Sequence, residues 1–311
     1  MELKNKFMLY LKGIAMGAAD AVPGVSGGTI AFISGIYEEL IDSIRSFNIT
    51  GLKLLKSLDF KGFWEHINGL FLIILFAGIA TSILFFSRII LYCLVHYPEM
   101  LWAFFFGLII ASALVVGKKI SQWNSKIIFS SIAGIFAGYY ITIAVPAQTP
   151  ETLSFIFFSG MIAICAMILP GISGSFILVL LSKYEYVFTA VKDFNMAVII
   201  TFGSGCVIGL LSFSHLLNWT LKRFHDLTIA MLTGLMIGSL NKVWPWKEVL
   251  KTYTNHKGQI KPLIEQNILP ASYFEITGRE SYVFYALALA AAGFLLVWFL
   301  EKLTIEYPDK S

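Results

Sequence analysis

The sequence predicts an all-α polytopic membrane protein built as an inverted repeat, each half one re-entrant helical hairpin plus three transmembrane helices. Composition is the first reason: AVILMFWYC make up 57% of the 311 residues and charged residues only 14%, against about 25% charged in soluble domains. The second is a set of six apolar runs of spanning length. The third is a pair of Pro-Gly-rich interruptions that copy one another. Mean hydropathy is +0.77.

The first repeat, residues 1–146, opens with a broken apolar stretch at 7–41 and continues through spans at 69–95, 100–117 and 127–146. The second, 147–311, has its broken stretch at 152–182 and spans at 195–221, 227–241 and 281–300. Each span approaches the roughly 20 apolar residues that cross a bilayer. The breaks are Pro23-Gly24-Val25-Ser26-Gly27-Gly28 and Pro170-Gly171-Ile172-Ser173-Gly174-Ser175, offset by 147 residues. At that offset Tyr37-Glu38 falls on Tyr184-Glu185. Gly78, Phe86-Ser87, Gly107 and Ser112 fall on Gly205, Phe213-Ser214, Gly234 and Ser239 at an offset of 127. The first half therefore carries an insertion of about 20 residues at 45–65, where leucines and aromatics interleave with Lys53, Lys56 and Lys61. It reads as a basic interfacial helix attracted to anionic headgroups, or as a connector packed on the bundle.

A broken segment either dips in and returns or crosses once. Hairpins that return, with a cytoplasmic N-terminus, put Arg45, Lys53, Lys56 and Lys61, then Lys118, Lys119 and Lys126, then Lys222 and Arg223 inside, as the positive-inside rule requires. The single-crossing alternative exports the first two clusters. Both termini are then cytoplasmic, and 242–280 is an external loop of mixed charge. The stretch after Lys4 and Lys6 lacks a cleavage pattern and reads as part of the mature chain. A net charge of +4, scattered, excludes a nucleic-acid footprint. Cys93, Cys165 and Cys206 have neither disulfide nor zinc spacing, so no metal or cofactor is expected.

Broken helices meeting near the midplane characterise secondary transporters, where half-helix N-termini face an anionic substrate. Pro23 and Pro170 end the incoming half-helix, and Ser26 and Ser173 are suited to cap the outgoing one. Gly27, Gly28 and Gly174 bare amides for an anion, and Thr29 and Ser175 add hydroxyls. The plainer alternative is a turn whose small residues allow close helix packing.

Ionisable groups at membrane depth are costly and by default functional. Asp20, whose counterpart is Met167, suits a coupling cation or proton site, or else caps the broken backbone. Arg88 is a phosphate fork or a snorkelling side chain. Its counterpart His215 is a packing residue or a second phosphate or proton group. Glu38 and Glu185 are interface anchors or direct participants, and Glu99 and Asp226 read as loop charges.

With Gly13-x-x-Met16-Gly17-x-x-Asp20-x-Val22-Pro23-Gly24-Val25-Ser26-Gly27-Gly28-Thr29, the return motif Leu169-Pro170-Gly171-Ile172-Ser173-Gly174-Ser175, and Gly234-Leu235-x-x-Gly238-Ser239 leading to Trp244-Pro245-Trp246, the chain resembles the bacterial polyprenyl-phosphate transporter family along essentially its whole length. The resemblance implies an inner-membrane translocase returning undecaprenyl phosphate from the outer to the inner leaflet for reuse as carrier lipid. Its partners would be that lipid and membrane lipids, with a homo-oligomer left open. The loops also look like those of undecaprenyl-pyrophosphate phosphatases. Without a loop arginine or a placed base, however, phosphoryl-transfer charge would go unmatched, and no catalytic residue is assigned. A transporter of a small soluble anion is the third reading.

Overall fold

The computed structural model describes residues 3–20, 22, 25–254 and 260–305. Pro23 and Gly24 of the first motif, and Lys257 of the predicted external loop, lie outside the described residues. The chain is mostly helical. The first broken segment and its flank hold α1 (Leu3–Asp20), α2 (Gly27–Ile33) and α3 (Tyr37–Arg45); the second holds α9 (Leu153–Ile168) and α10 (Gly174–Leu180) and is followed by α11 (Tyr184–Lys192). Between them lie α4 (Ile49–Lys56), α5 (Phe60–His66), α6 (Gly69–His96), α7 (Pro98–Gly117) and α8 (Ser125–Ile143). The chain ends with α12 (Met196–Arg223), α13 (His225–Ser239), β1 (Lys247–Thr254), β2 (Ile260–Asn267), α14 (Pro270–Thr277) and α15 (Val283–Ile305).

Local chemistry sets the breaks. Leu169, just before Pro170, is extended at φ −67°, ψ 134°, because the proline ring disfavours helical backbone in the residue ahead of it. Ser26 and Ser173 enter their short helices with matching extended backbones, φ −126° and −104°. After seven residues each helix ends at a left-handed residue, Gly35 (φ 75°) or Ser182 (φ 53°), again 147 apart. The chain then bends into α3 or α11, by 106° between α10 and α11. The second broken stretch, 152–182, thus holds two helices with α11 directly after it, and the first, 7–41, runs through two helices into the start of α3.

The insertion is two short helices. Asn48 caps α4 and Asp59 caps α5, with left-handed Leu58 (φ 58°) between them. Ile49, Leu52, Phe60 and Trp64 are exposed there, as are Lys53, Lys56 and Lys61.

All six apolar runs are helices. Four are long and apolar enough to cross a membrane, α7, α8, α12 and the Gly69–Phe86 stretch of α6, or five if α10 and α11 form one bent span. The apolar part of α15, Val283–Phe299, is shorter, and the 15 residues of α13 rise only about 22 Å. The chain is a multi-pass membrane protein.

The helices pair as α1 with α6, α9 with α12, α7 with α15 and α8 with α13. Lipid tails give no hydrophobic gain for association, so close backbone approach must supply it. A Cβ on Gly13 would lie 2.3 Å from the Leu75 carbonyl of α6, and one on Gly205 would lie 2.1 Å from the Phe157 carbonyl of α9. The largest buried cluster runs through Val22, Val25, Ile30, Ile109, Val116 and Met236.

The predicted external loop is more structured than its mixed charges suggested. β1 and β2 form an antiparallel hairpin with an irregular register around Lys251, and Trp246 and Tyr273 pack with Ala103 of α7 and Ala286 of α15. Glu99, read from the sequence as a loop charge, is instead 2% exposed and accepts a hydrogen bond from the Tyr273 hydroxyl. It sits in the first turn of α7, where the helix dipole favours a carboxylate. Its counterpart Asp226, in the first turn of α13, accepts from the amides of Ser121 (3.0 Å) and Gln122 (3.4 Å).

Candidate functional site

The two loops meet inside the molecule. Among the described residues, the Ser26 hydroxyl donates to the Met167 carbonyl (3.0 Å), the Tyr37 hydroxyl donates to the Ile168 carbonyl (3.2 Å), and the Gly171 amide donates to Thr29 Oγ1 (3.0 Å). The first loop's polar side chains therefore hold the second loop's backbone, whose carbonyls the Pro-Gly break has released from helix.

The loops differ in what their amides face. Asp20 Oδ1 accepts the Gly27 amide at 2.7 Å and Ser26 Oγ accepts the Gly28 amide at 3.1 Å. Asp20 is thus an internal anion on the first loop, and Gly27 leaves no room beside it: an added Cβ would lie 2.5 Å from Asp20 Oδ2. Every residue of α2 is buried, and α2 packs on α7, α9 and α15. At the second loop no side chain caps α10. The Ser173 and Ser175 hydroxyls bond each other at 2.8 Å, Met167 stands where Asp20 would, and Gly174 alone among α10's residues is buried. The described residues of both loops are buried, but α2 is sealed into the core whereas α10 is partly exposed from Ser175 onward.

A small cavity beside the second loop is lined by Thr142, Gly171, Ser173, Phe176 and Lys242. Lys242 Nζ stands 4.8 Å from the Phe176 ring centre and donates to Glu265 Oε2 at 3.0 Å. Lys247 Nζ lies 3.8 Å from the same oxygen, donates to the Lys242 carbonyl at 2.6 Å and sits 4.1 Å from the Trp102 ring centre. Burial lowers the Lys247 ammonium to about 8, against the opposing pull of Glu265 and with a smaller push from Lys242. Burial raises Glu265, but the two lysines outweigh it and leave its carboxyl below the ordinary range. A larger and more open cavity of about 320 Å³ lies at the other end of α13, lined by Ser121, Asn124, His225 and Asp226.

The remaining sequence candidates lie apart from the loops. Arg88 is exposed on α6, and among the described residues no hydrogen bond or ion pair joins it to either loop. His215 is exposed on α12 and its Nδ1 pairs with the Leu211 carbonyl of its own helix (2.7 Å). Glu38 is exposed and Glu185 half-buried, each in the first turn of the helix after its loop. Sequence reasoning missed Lys183, 1% exposed, whose Nζ donates to the Thr149 carbonyl at 2.7 Å. It also took Lys242 for one loop charge among several. The available signal was position: Lys242 follows the Gly-Leu-x-x-Gly-Ser run by three residues, and Lys183 directly follows the second broken segment.

These features define a multi-pass membrane protein whose two broken helices bring paired hydroxyls, bared backbone and a few placed charges together in its interior. Residues 16–261 match the undecaprenyl phosphate translocase-like family. A polyprenyl-phosphate transporter of Vibrio cholerae serotype O1 is 49% identical over 298 residues, covering 96% of this chain and 97% of that protein. A polyprenyl-phosphate transporter of Staphylococcus aureus is 31% identical over 261 residues, covering 77% of this chain and 87% of that protein. The chain belongs to the undecaprenyl phosphate translocase-like family. No solved structure matches it.

Proposed function

We propose that this protein carries a polyprenyl phosphate, undecaprenyl phosphate in particular, from the outer to the inner leaflet of the bacterial cytoplasmic membrane for reuse as carrier lipid. Both relatives are named polyprenyl-phosphate transporters, which favours transport over phosphate hydrolysis. The observation that carries the reading is the unequal pair of loops. Asp20 already takes the Gly27 amide of the first loop and Ser26 the Gly28 amide, whereas the second loop offers Ser173, Gly174 and Ser175 without a carboxylate. A phosphate headgroup docks there, its tail leaving sideways into lipid, and reaches Ser26, Gly27, Gly28 and Thr29 when the loops rearrange.

The architecture in this reading is an inverted repeat, 1–146 and 147–311, with re-entrant hairpins from opposite faces and cytoplasmic termini. Supporting it are the pairing of each half's second long helix with the other half's third and the glycine seams Gly13–Gly78 and Gly160–Gly205 at equivalent positions. The second loop then faces outward. Asp20 couples the cycle: an arriving phosphate competes with the carboxylate for the first loop, and a proton or sodium ion on Asp20 removes the repulsion. Arg88, His215 and Glu38 are exposed in this conformation, and Glu185 is half-buried on α11.

The test is reconstitution in liposomes carrying polyprenyl phosphate, with a reagent outside that reads phosphate in one leaflet. Protein-dependent loss of the outer-leaflet signal, absent with Ser173→Ala/Ser175→Ala, is expected. Equal loss with protein-free liposomes would sink the assignment.

A further inference from the structure

Three charged residues outside the loops form a set with an unusual arrangement. Glu265 on β2 faces two lysines, Lys242 at 3.0 Å and Lys247 at 3.8 Å. The two cations are not equivalent. The Lys242 side chain is 21% exposed and reaches over Phe176 into the cavity that Ser173 and Thr142 also line. The Lys247 side chain is 7% exposed and is fixed by the Lys242 carbonyl and the Trp102 face. Removing one partner of a buried ion pair ordinarily strands the other charge. Here Glu265 keeps Lys247 if Lys242 leaves, so the departure of the lysine nearest the second loop leaves the half-buried carboxylate paired.

We propose that Lys242 is the cation that receives the substrate's phosphate at the second loop, swinging from Glu265 to the headgroup while Lys247 remains to balance Glu265. This inference rests on the transport reading above and adds to it a binding residue from the strand-capped segment. Chemically the ligand is a phosphate monoester: a compact ammonium serves as a point charge for its oxygens, the Ser173 and Ser175 hydroxyls supply donors, and Phe176 flanks the approach. Lys242 has Val115 at its repeat position, so this cation, like Asp20, occurs once per molecule, and the two opposite charges are allotted to different loops. Glu265 acts as a latch that competes with phosphate for Lys242.

The latch makes two substitutions move in opposite directions. Binding of polyprenyl phosphate, of polyprenol and of inorganic phosphate is measured on the full-length protein in nanodiscs, with melting curves to check folding. Lys242→Gln is expected to weaken polyprenyl phosphate binding about tenfold, as the loss of a charge-assisted hydrogen bond implies, and to leave polyprenol unaffected. Glu265→Gln is expected to tighten phosphate binding several-fold by releasing Lys242. A purely structural ion pair would instead weaken phosphate binding in both variants, and that outcome overturns the proposal. So does polyprenyl phosphate bound equally by wild type and folded Lys242→Gln, a result that leaves the transport reading standing. Inorganic phosphate bound through Lys242 by a protein that ignores polyprenyl phosphate would support the site and sink the transport reading.

Discussion

Replacing Asp20 tests coupling and folding separately, because the structure gives its two oxygens distinct surroundings. Oδ1 accepts the buried Gly27 amide at 2.7 Å. Asp20→Asn keeps an acceptor and loses only the charge assistance, a change of about 1 kcal/mol. Asp20→Ala leaves the amide without its partner, at about 1–3 kcal/mol. The alanine variant should therefore melt lower than the asparagine variant. Transport divides them differently. Moving a phosphate inward against an inside-negative potential costs about 2.3 kcal/mol per charge per 100 mV, and one co-transported proton cancels one charge. Without it, the transbilayer distribution of the lipid shifts by about 50-fold per 100 mV. Proteoliposomes with imposed pH and voltage gradients, read for phosphate in each leaflet, should show wild type following the pH gradient and shifting less with voltage than Asp20→Asn, which follows voltage alone. If wild type ignores the pH gradient, or Asp20→Asn follows it as wild type does, Asp20 is a backbone cap and no more. A response to sodium in place of protons would reassign the ion.

Four further outcomes are expected. Gly174→Val should abolish uptake with protein still in the membrane, since its Cβ would lie 2.6 Å from the Ala163 carbonyl, whereas Gly203→Val, with nothing within 4 Å, should transport normally; normal flux in the first variant refutes the role of the second loop. Cysteines placed in 147–151 and 242–280 should react with an impermeant reagent from outside and those in 117–126 should not, and the reverse pattern overturns the inverted topology. Tyr273→Phe removes the donor to buried Glu99 and should destabilise by about 1–3 kcal/mol, an effect that vanishes in a Glu99→Gln background if the pair is the cause. Lys247, lowered to about 8 chiefly by burial, binds its proton less tightly folded than unfolded. Stability should then rise as pH climbs from about 8 toward the ordinary lysine value near 10, and a flat melting profile there, or the same rise in Lys247→Gln, contradicts that origin.

Much of the helical framework was legible because membrane helices are written in local sequence. Apolar runs marked α6, α7, α8, α12, α13 and α15, and the repeat offset placed Tyr37 and Tyr184 at equivalent helix starts. Pro170 marked where α9 stops. What local pattern could not carry was long-range pairing. β1 and β2 lack a strict polar–apolar alternation and are defined by each other across the sequence. Glu99 looked like any charge beside a proline until Tyr273, 174 residues away, was seen to cover it. The loops read alike, yet in one Asp20 takes up an amide and in the other no side chain caps the outgoing helix. That difference was half visible in the Asp20–Met167 mismatch, and the rest depends on which helices pack against α2 and α10. Lys242 was hidden among the lysines of its segment because only the fold brings it to Phe176.

The most direct measurement is the structure of the protein with polyprenyl phosphate bound. Headgroup density is expected between Ser173, Ser175 and Lys242, with the tail running out beside α10 into lipid. Density for the headgroup in the open cavity at Asn124, His225 and Asp226, with the second loop empty, would contradict that placement.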